Sequence, residues 1–318
     1  MKAVVIKEAG GPEKLVYQDV PTPEVKPGWS LVKIKGFGIN HSEIFTRKGL
    51  SPSVKFPRIL GIECVGIIEK TTDVQRLPVG QKVISIMGEM GRAFDGSYAE
   101  YALLPNEQLY PISTDLDWAT LAAIPETYYT AYGSMLNLQI KESDRILVRG
   151  GTSGVGIAFL KLIKAKFPSI FIAGTSRSLA KEKAMKNVGY NQVIVDQNGQ
   201  LQTESKFDKI LELIGPKTVK DSFKHTSEFG IVCSTGELGN EWYLNEFDPI
   251  MDIAANGYLT SFYSGNVDNQ KINQMLQYIE KNHVDAKPEK VFDLEHVTDA
   301  HKYLEGSHSF GKVVVVED

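Results

Sequence analysis

Glycines are concentrated in one short stretch, residues 150–156, where four of the seven residues are glycine. An apolar run typical of a buried strand, residues 145–149, precedes it, and a helical pattern over residues 155–166 follows it. The spacing fits G-x-G-x-x-G at Gly151, Ser153 and Gly156, with serine in place of the middle glycine. Such glycines let backbone N–H groups approach a pyrophosphate, and a helix N-terminus adds about half a positive charge. The stretch therefore predicts a dinucleotide-binding loop; an ordinary glycine-rich turn is the simpler alternative.

The residues after the next predicted strand indicate which dinucleotide is preferred. An NAD site usually has an Asp or Glu about 20 residues beyond the loop, where it binds the ribose 2′-hydroxyl. This chain has no carboxylate there before Glu182, and has Ser176, Arg177 and Lys181 instead. A guanidinium can bind a phosphate through two parallel hydrogen bonds, so these residues favour the 2′-phosphate of NADPH. The alternative is that Arg177 and Lys181 are solvated charges and that Ser178 caps a helix.

Cysteine usage limits other kinds of chemistry. The chain has two cysteines, Cys64 and Cys233, far apart in the sequence. This excludes a disulfide framework and a four-cysteine zinc site. It also predicts the reducing cytoplasm as the compartment.

The elements that must position these residues fall into two regions. The first third is rich in strand patterns, at residues 1–7, 28–35, 61–69 and 82–86. Proline and glycine interrupt them, and no helix of any length is predicted before about Asp115. A small antiparallel, barrel-like domain is expected there.

Beyond Asp115, helical and strand patterns alternate. Residues 117–138 are predicted to be helical. The elements predicted next are strands at 145–149, 170–175, 192–195, 209–214 and 230–234 and helices at 155–166 and 179–188. This alternation predicts βαβ units and a parallel sheet. A strand over 258–263, an amphipathic helix over 269–281 and a strand over 312–316 are predicted in the remainder.

Length and composition restrict the class of protein further. The 318 residues suffice for about two domains, and a hydrophobic fraction of 42% lies in the globular range. A net charge of −4, without any block of Lys and Arg, argues against a nucleic-acid partner. No stretch reaches the ~18 apolar residues of a spanning helix, so no membrane partner is expected.

Several short motifs occur in a fixed order along the chain. They are Gly38-Ile-Asn-His-Ser-Glu43, Gly61-Ile-Glu63, Asp95-Gly-Ser-Tyr-Ala-Glu-Tyr101, Ala122-Ala-Ile-Pro125 with Thr130-Ala-Tyr-Gly133, the glycine loop, and Leu213-Ile-Gly215. In order and spacing they resemble the medium-chain dehydrogenase/reductase superfamily, specifically its zinc-free quinone oxidoreductase branch. The resemblance covers nearly the whole chain.

This resemblance implies an α/β fold with two domains. A GroES-like β-barrel catalytic domain would comprise residues 1–118 and the returning segment 263–318. A Rossmann domain with a doubly wound parallel sheet would bind NADP through residues 119–262. In such proteins the active site lies in the cleft between the domains. They commonly form homodimers by joining edge strands, here residues 258–263.

The resemblance also implies that zinc is absent. In zinc-containing members a Cys stands at the position of Asn40, a His at that of Ile62, and a further ligand at that of Glu126. Glu63, Glu126 and His41 remain as potential ligands, with no thiolate and no properly spaced imidazole. Glu63 and Glu126 are therefore expected to accept hydrogen bonds or to pair with a base.

Motif matching makes Asn40, His41 and Ser42 the candidate catalytic residues. The Asn40 amide would donate to the cofactor or to a carbonyl, and Ser42 matches a hydroxyl that relays protons in alcohol dehydrogenases of this superfamily. Alternatively, Ser42 caps a helix that starts at Glu43, and His41 is a packed or surface histidine. The residues assigned to cofactor binding are Thr130, Gly151, Thr152, Ser153, Gly154, Val155, Ser176, Arg177, Lys181, Leu213, Thr235 and Phe262.

Without a metal, the chemistry is restricted to activated acceptors. Zinc lowers the pKa of an alcohol and polarises a carbonyl, whereas a quinone or an α,β-unsaturated carbonyl delocalises the incoming charge by itself. The prediction is NADPH-dependent hydride transfer to a quinone or enone. One alternative is a zinc-free enoyl-thioester reductase, with Arg47, Lys48, Lys55 and Arg58 as basic residues for its substrate. Another is an NADPH-binding sensor or structural protein with little turnover.

Overall fold

The computed structural model describes residues 1–254, 256–306 and 309–317. Its strands are β1 (Lys2–Ile6), β2 (Leu15–Asp19), β3 (Trp29–Ile39), β4 (Arg58–Ile59), β5 (Glu63–Lys70), β6 (Lys82–Ile86), β7 (Tyr101–Pro105), β8 (Tyr110–Pro111), β9 (Arg145–Arg149), β10 (Phe171–Ser176), β11 (Gln192–Gln197), β12 (Gln200–Leu201), β13 (Phe207–Glu212), β14 (Thr226–Ser234), β15 (Tyr258–Ser261), β16 (Lys290–Phe292) and β17 (Val313–Val316). Its α-helices are α1 (His41–Arg47), α2 (Trp118–Ala122), α3 (Pro125–Asn137), α4 (Gly154–Lys166), α5 (Glu182–Val188), α6 (Val219–Lys224), α7 (Pro249–Asp252), α8 (Asn269–Lys281) and α9 (Val297–Glu305).

The chain divides into two compact units. The first comprises residues 1–129, 264–278 and 286–318, and the second comprises residues 130–263 and 279–285. The sequence predicts domain bounds of 1–118, 119–262 and 263–318, and these bounds stay a prediction. Among the described residues, none of the helices has the length and apolar character that crossing a membrane requires.

The first unit is built on antiparallel strands. Its larger sheet has the order β16-β17-β3-β5-β6-β8, with β7 also paired to β3, and a smaller sheet has the order β2-β1-β4. Apart from β16 and β17, which run parallel, neighbouring strands in both sheets are antiparallel. Strands β3 and β5 approach so closely that a Cβ on Gly66 would lie 2.3 Å from the carbonyl oxygen of Lys33. The expected GroES-like β-barrel domain is confirmed.

The second unit is a Rossmann-like sheet, as the alternating pattern predicts. Its strand order is β12-β11-β10-β9-β13-β14-β15, and every neighbouring pair is parallel except β11 with β12. Numbered from β9, the six parallel strands have the doubly wound order 3-2-1-4-5-6. The order reverses between β9 and β13, and in such sheets dinucleotides bind at the carboxyl ends of the strands at this point.

The helices differ from the predictions in several places. Helix α1 lies well before Asp115, where no helix was expected; it has only seven residues, too few to show a clear apolar period. The single helical stretch over 117–138 is two helices, because Pro125 starts α3 and cannot lie inside a helix. Helices α6, α7 and α9 were not predicted, although in α9 Val297, Ala300 and Leu304 are buried at helical spacing.

Candidate active site

The glycine loop turns sharply at the end of β9. Gly150 has a φ of +93°, a conformation that favours glycine, and its N–H donates to Thr175 Oγ1 at 2.9 Å. The next N–H, that of Gly151, donates to the carbonyl of Thr175 at 3.2 Å. A Cβ on Gly151 would lie 3.0 Å from the Cα of Gly174 on β10. The loop is therefore fixed against the neighbouring strand, and a side chain at Gly151 would press on the backbone of β10.

Helix α4 begins inside this loop, and its first turn is capped by Ser153. Ser153 Oγ accepts from the N–H of Gly156 at 3.1 Å and donates to the carbonyl of Gly150 at 2.8 Å. A Cβ on Gly156 would lie 2.6 Å from that same carbonyl oxygen. The side chain that replaces the middle glycine thus closes the loop internally. Thr152, Ser153, Gly154 and Val155 are half-buried, at the positively polarised end of a 13-residue helix.

Two buried groups behind the loop were not found from the sequence. Tyr190 donates its hydroxyl to the carbonyls of Gly151 and Gly156, at 2.9 and 3.2 Å. Arg149, the last residue of β9, binds Asp196 through two hydrogen bonds of 2.7 and 3.1 Å. Both side chains are positioning groups for the end of β9, and only the fold brings their partners near.

The residues expected near the 2′-phosphate follow β10. Ser176 ends the strand, Arg177 is exposed, and Lys181 is the last residue of a 3₁₀ helix, Leu179–Lys181. Ser178 Oγ accepts from the N–H of Ala180 at 3.4 Å, so the helix cap named in the alternative interpretation is present. The binding of a 2′-phosphate by Ser176, Arg177 and Lys181 stays a prediction.

Several other predicted cofactor residues form a connected group in the second unit. Ser134 Oγ donates to the carbonyl of Thr130 at 2.8 Å and lies 3.0 Å from Thr235 Oγ1. A Cβ on Gly133 would lie only 2.0 Å from the ring of Phe262, so this ring packs directly on α3. Leu213 follows β13, and its N–H donates to the carbonyl of Arg149 at 3.1 Å. Their contacts with a cofactor stay a prediction.

In the first unit, the three candidate catalytic residues lie at the start of α1. The helix begins at His41, with Asn40 at the N-cap position, so the alternative in which Ser42 caps a helix starting at Glu43 is wrong. Ser42 Oγ instead accepts a hydrogen bond of 2.6 Å from Arg92 Nη2. Burial lowers the pKa of His41, so its imidazole is neutral at pH 7. Arg92 was not found from the sequence because it lies 50 residues away.

A buried ion pair lies beside Asn40. Lys312 Nζ is 2.6 Å from Glu63 Oε1 and 2.6 Å from Asn40 Oδ1. Asn40 Nδ2 in turn donates to Glu63 Oε1 at 2.7 Å. The other carboxylate oxygen of Glu63 accepts from the N–H of Glu126 at 2.7 Å. Both amide atoms of Asn40 are thus used within the cluster, which argues against the predicted donation to a cofactor or substrate.

Two further carboxyl groups adjoin this ion pair. Glu43 Oε1 accepts long hydrogen bonds of 3.3 Å from Asn40 Nδ2 and from the N–H of Ile62. Burial, with the nearby charge of Glu63 as a second cause, raises the pKa of Glu43 to about 7. Glu126 Oε1 accepts from Ser264 Oγ at 2.8 Å. The expectation that Glu63 and Glu126 accept hydrogen bonds or pair with a base is confirmed.

These residues do not fit a zinc ion. Zinc requires three or four converging nitrogen, sulfur or oxygen ligands. Here Ile62 supplies a buried apolar side chain, Asn40 an amide, and the carboxylate of Glu63 is already paired with an ammonium. Within residues 1–254, 256–306 and 309–317, no group of three or more His, Cys, Asp and Glu side chains is arranged to hold a metal.

Comparison with known proteins identifies the family. Residues 26–114 match the family model described as "Alcohol dehydrogenase GroES-like domain", and residues 188–315 match the one described as "Zinc-binding dehydrogenase". A quinone oxidoreductase from Lama guanicoe is 28% identical over 327 residues, which cover 99% of this chain and 97% of that protein.

Solved structures agree in fold. The quinone oxidoreductase from Coxiella burnetii superposes with a TM-score of 0.84 at 22% identity, over 100% of this chain and 99% of that one. The mycobacterial protein Rv1454c, solved with NADPH, gives a TM-score of 0.82 at 21% identity, with 100% of both chains covered. The chain is an oxidoreductase of the dinucleotide-binding α/β class. It belongs to the medium-chain dehydrogenase/reductase superfamily, in its quinone oxidoreductase-like part.

Proposed function

We propose that this protein transfers a hydride from NADPH to a quinone or an α,β-unsaturated carbonyl without zinc. The observation that carries the proposal is the Lys312–Glu63 ion pair, which places an ammonium rather than a metal beside Asn40. Members of this family are oxidoreductases. Alcohol oxidation would need a Lewis acid, and the ammonium of Lys312 stands where that metal ion would have to bind Glu63.

The second unit fits a nicotinamide dinucleotide. The glycine loop and the start of α4 would bind the pyrophosphate, because residues 152–155 lie at the positively polarised N-terminus of α4. Arg177, Lys181 and Ser176 would bind the 2′-phosphate, and the NADPH of the mycobacterial relative supports this choice. When bound, NADPH supplies the hydride.

Conjugated acceptors suit a site that has hydrogen-bond donors but no metal ion. Hydride transfer to them leaves an enolate or a hydroquinone anion, whose charge is delocalised and needs only hydrogen-bond donors. Ser42 is the best placed donor, because its oxygen already accepts from the Arg92 guanidinium and its own proton is available to donate. Neutral His41 is a weaker candidate, and water can protonate the product anion.

The thioester alternative receives less support. Arg47 is buried and paired with Glu305 at 2.6 Å, and Lys48 pairs with the same carboxylate at 2.5 Å. Arg58 pairs with Asp95 at 2.8 Å. Three of the four basic residues expected to recognise such a substrate are therefore bound within the protein.

A homodimer is part of the proposal. Strand β15 pairs with β14 and ends the second unit's sheet. Large apolar side chains close to it in sequence are exposed, including Tyr258 at 56%, Ile250 at 87% and Met251 at 77%. An exposed edge with apolar neighbours favours pairing with a second copy.

Steady-state oxidation of NADPH by chelator-treated protein tests the function. The expected acceptors are 9,10-phenanthrenequinone and small enones, whereas simple alcohols with NADP⁺ should not react. Turnover of alcohols that is lost on chelation and restored by Zn²⁺ would contradict the proposal. Tight NADPH binding without oxidation by any acceptor would favour the sensor alternative.

A further inference from the structure

Lys312 reaches the polar cluster through the pairing of β17 with β3. Val313 lies opposite Ile39 in that antiparallel pair, so the residue before Val313 lies beside the residue after Ile39. This places Lys312 next to Asn40 although 272 residues separate them. The position of the ammonium is therefore set by the register of two strands and not by a local motif.

The protein backbone leaves room for this ammonium. A Cβ on Gly38 would lie 2.2 Å from Lys312 Cε and 2.4 Å from both Lys312 Nζ and Glu63 Oε1. Any other residue at position 38 would displace the ion pair. Gly38, Lys312 and Glu63 thus form one built site, in which a positive charge of defined position is enclosed.

The charges around Lys312 require a cation at this position. Glu43 and Glu63 are almost fully buried, with 1% and 0% exposure, and Lys312 is 7% exposed. A buried carboxylate without a counter-ion is strongly unfavourable. Glu43 Oε2 has no hydrogen-bond partner among the described residues, so the cluster has unused acceptor capacity. The atoms that this cluster could offer to a metal ion are all oxygens, the ligands that hard divalent cations prefer.

We propose that Lys312 is a positioning residue whose ammonium takes the place of a divalent cation in the Asn40–Glu63–Glu43 cluster. The ammonium fixes the orientation of the Asn40 amide. Because it donates to Oδ1, Nδ2 is left to donate to the carboxylates. It also excludes metals from the oxygen donors of the cluster. Removing the ammonium opens a site for a divalent cation. This inference rests on the same ion pair as the proposed function, but Mn²⁺ binding tests it without NADPH or an acceptor, so the two can fail separately.

Titration of the chelator-treated full chain with Mn²⁺ tests this inference. Free Mn²⁺ is measured by electron paramagnetic resonance, and the Tm is recorded at each metal concentration. We expect Lys312→Ala to bind one equivalent at least about tenfold more tightly than the wild type. Its Tm should be lower than that of the wild type without metal and should rise with Mn²⁺ until the site saturates.

The double variant Lys312→Ala, Glu63→Gln is the matched control, because it removes the carboxylate together with the ammonium. It should bind Mn²⁺ no better than the wild type. If Lys312→Ala does not fold without metal, Lys312→Gln replaces it, since Gln is uncharged but can still donate to Glu63. A folded Lys312→Ala or Lys312→Gln protein that binds Mn²⁺ no better than the double variant would overturn the inference. A lysine with a merely structural role would lower the Tm without creating this saturable response.

Discussion

The proposed preference for NADPH over NADH depends most on one side chain, that of Arg177. It is exposed just beyond β10, where a guanidinium can bind the 2′-phosphate. A charge-assisted hydrogen bond contributes about 1.5–3 kcal/mol. Arg177→Ala should therefore raise the Kd for NADPH roughly ten- to a hundredfold and leave the Kd for NADH almost unchanged.

Fluorescence titration with both dinucleotides measures this difference. Lys183→Ala is the matched control, because Lys183 is an exposed cation on the adjacent helix α5. Equal weakening of NADPH and NADH by Arg177→Ala would show that Arg177 does not bind the 2′-phosphate.

Glu43 makes the stability of the protein depend on pH. Its pKa is raised from 4.5 to about 7 by burial, so the folded state binds more protons than the unfolded state between those pH values. The free energy of unfolding therefore falls as the pH rises through this interval, by about 3 kcal/mol. Glu43→Gln should remove this loss, making the variant more stable than the wild type at pH 8 and about equal to it near pH 4.5.

Urea unfolding of both proteins across this pH range is the measurement. His301 contributes with the opposite sign, since burial lowers its pKa to about 3 and its contribution to stability grows with pH. His301 is present in both proteins, so the difference between their profiles isolates Glu43. Parallel profiles would show that the carboxyl of Glu43 does not carry a raised pKa.

At the scale of elements, the proposed function requires the loop between β9 and α4 to bind the pyrophosphate of either dinucleotide. A Cβ on Gly156 would lie 2.6 Å from the carbonyl oxygen of Gly150, so Gly156→Ala must displace the first turn of α4. This change should weaken NADPH and NADH equally, by tenfold or more, because the pyrophosphate is common to both.

Isothermal calorimetry with both dinucleotides provides the measurement. Gly306→Ala, where the nearest atoms to a new Cβ are 3.2 and 3.4 Å away, is the control for a glycine outside the loop. Unchanged NADPH binding by a folded Gly156→Ala protein would refute the role assigned to this loop.

Much of this element-scale arrangement is readable from the sequence. The glycine loop was predicted because strand, turn and helix are contiguous, and their bounds agree with β9 and α4. The Asn40 cluster was predicted only in part, because Asn40 and Glu63 belong to local motifs but Lys312 does not. Its ammonium arrives through the register of β17 on β3, and Arg92 reaches Ser42 from another loop. Pairing between strands distant in sequence leaves no local pattern, so those partners required the structure.

At the scale of the whole molecule, the edge strand β15 predicts the oligomeric state. The chain has a mass of 35.3 kDa, and light scattering should give about twice this value. Placing charges on the exposed apolar side chains, with Tyr258→Glu and Ile250→Glu together, should produce a monomer because buried charges oppose association. Val79→Glu, at a side chain that is 69% exposed in the first unit, is the control. A monomeric wild type would contradict the dimer.

The central claim is that hydride passes from NADPH to a conjugated acceptor without a metal. Single-turnover reduction of a small enone with NADPH deuterated at C4, in both stereochemical forms, tests it most directly. Metal content is measured on the same chelator-treated sample. The account predicts that deuterium from one of the two forms appears at the β-carbon of the product, at a rate unchanged by chelation or by added Zn²⁺. Deuterium at the carbonyl carbon, or a reaction that stops on chelation and resumes with Zn²⁺, would contradict it.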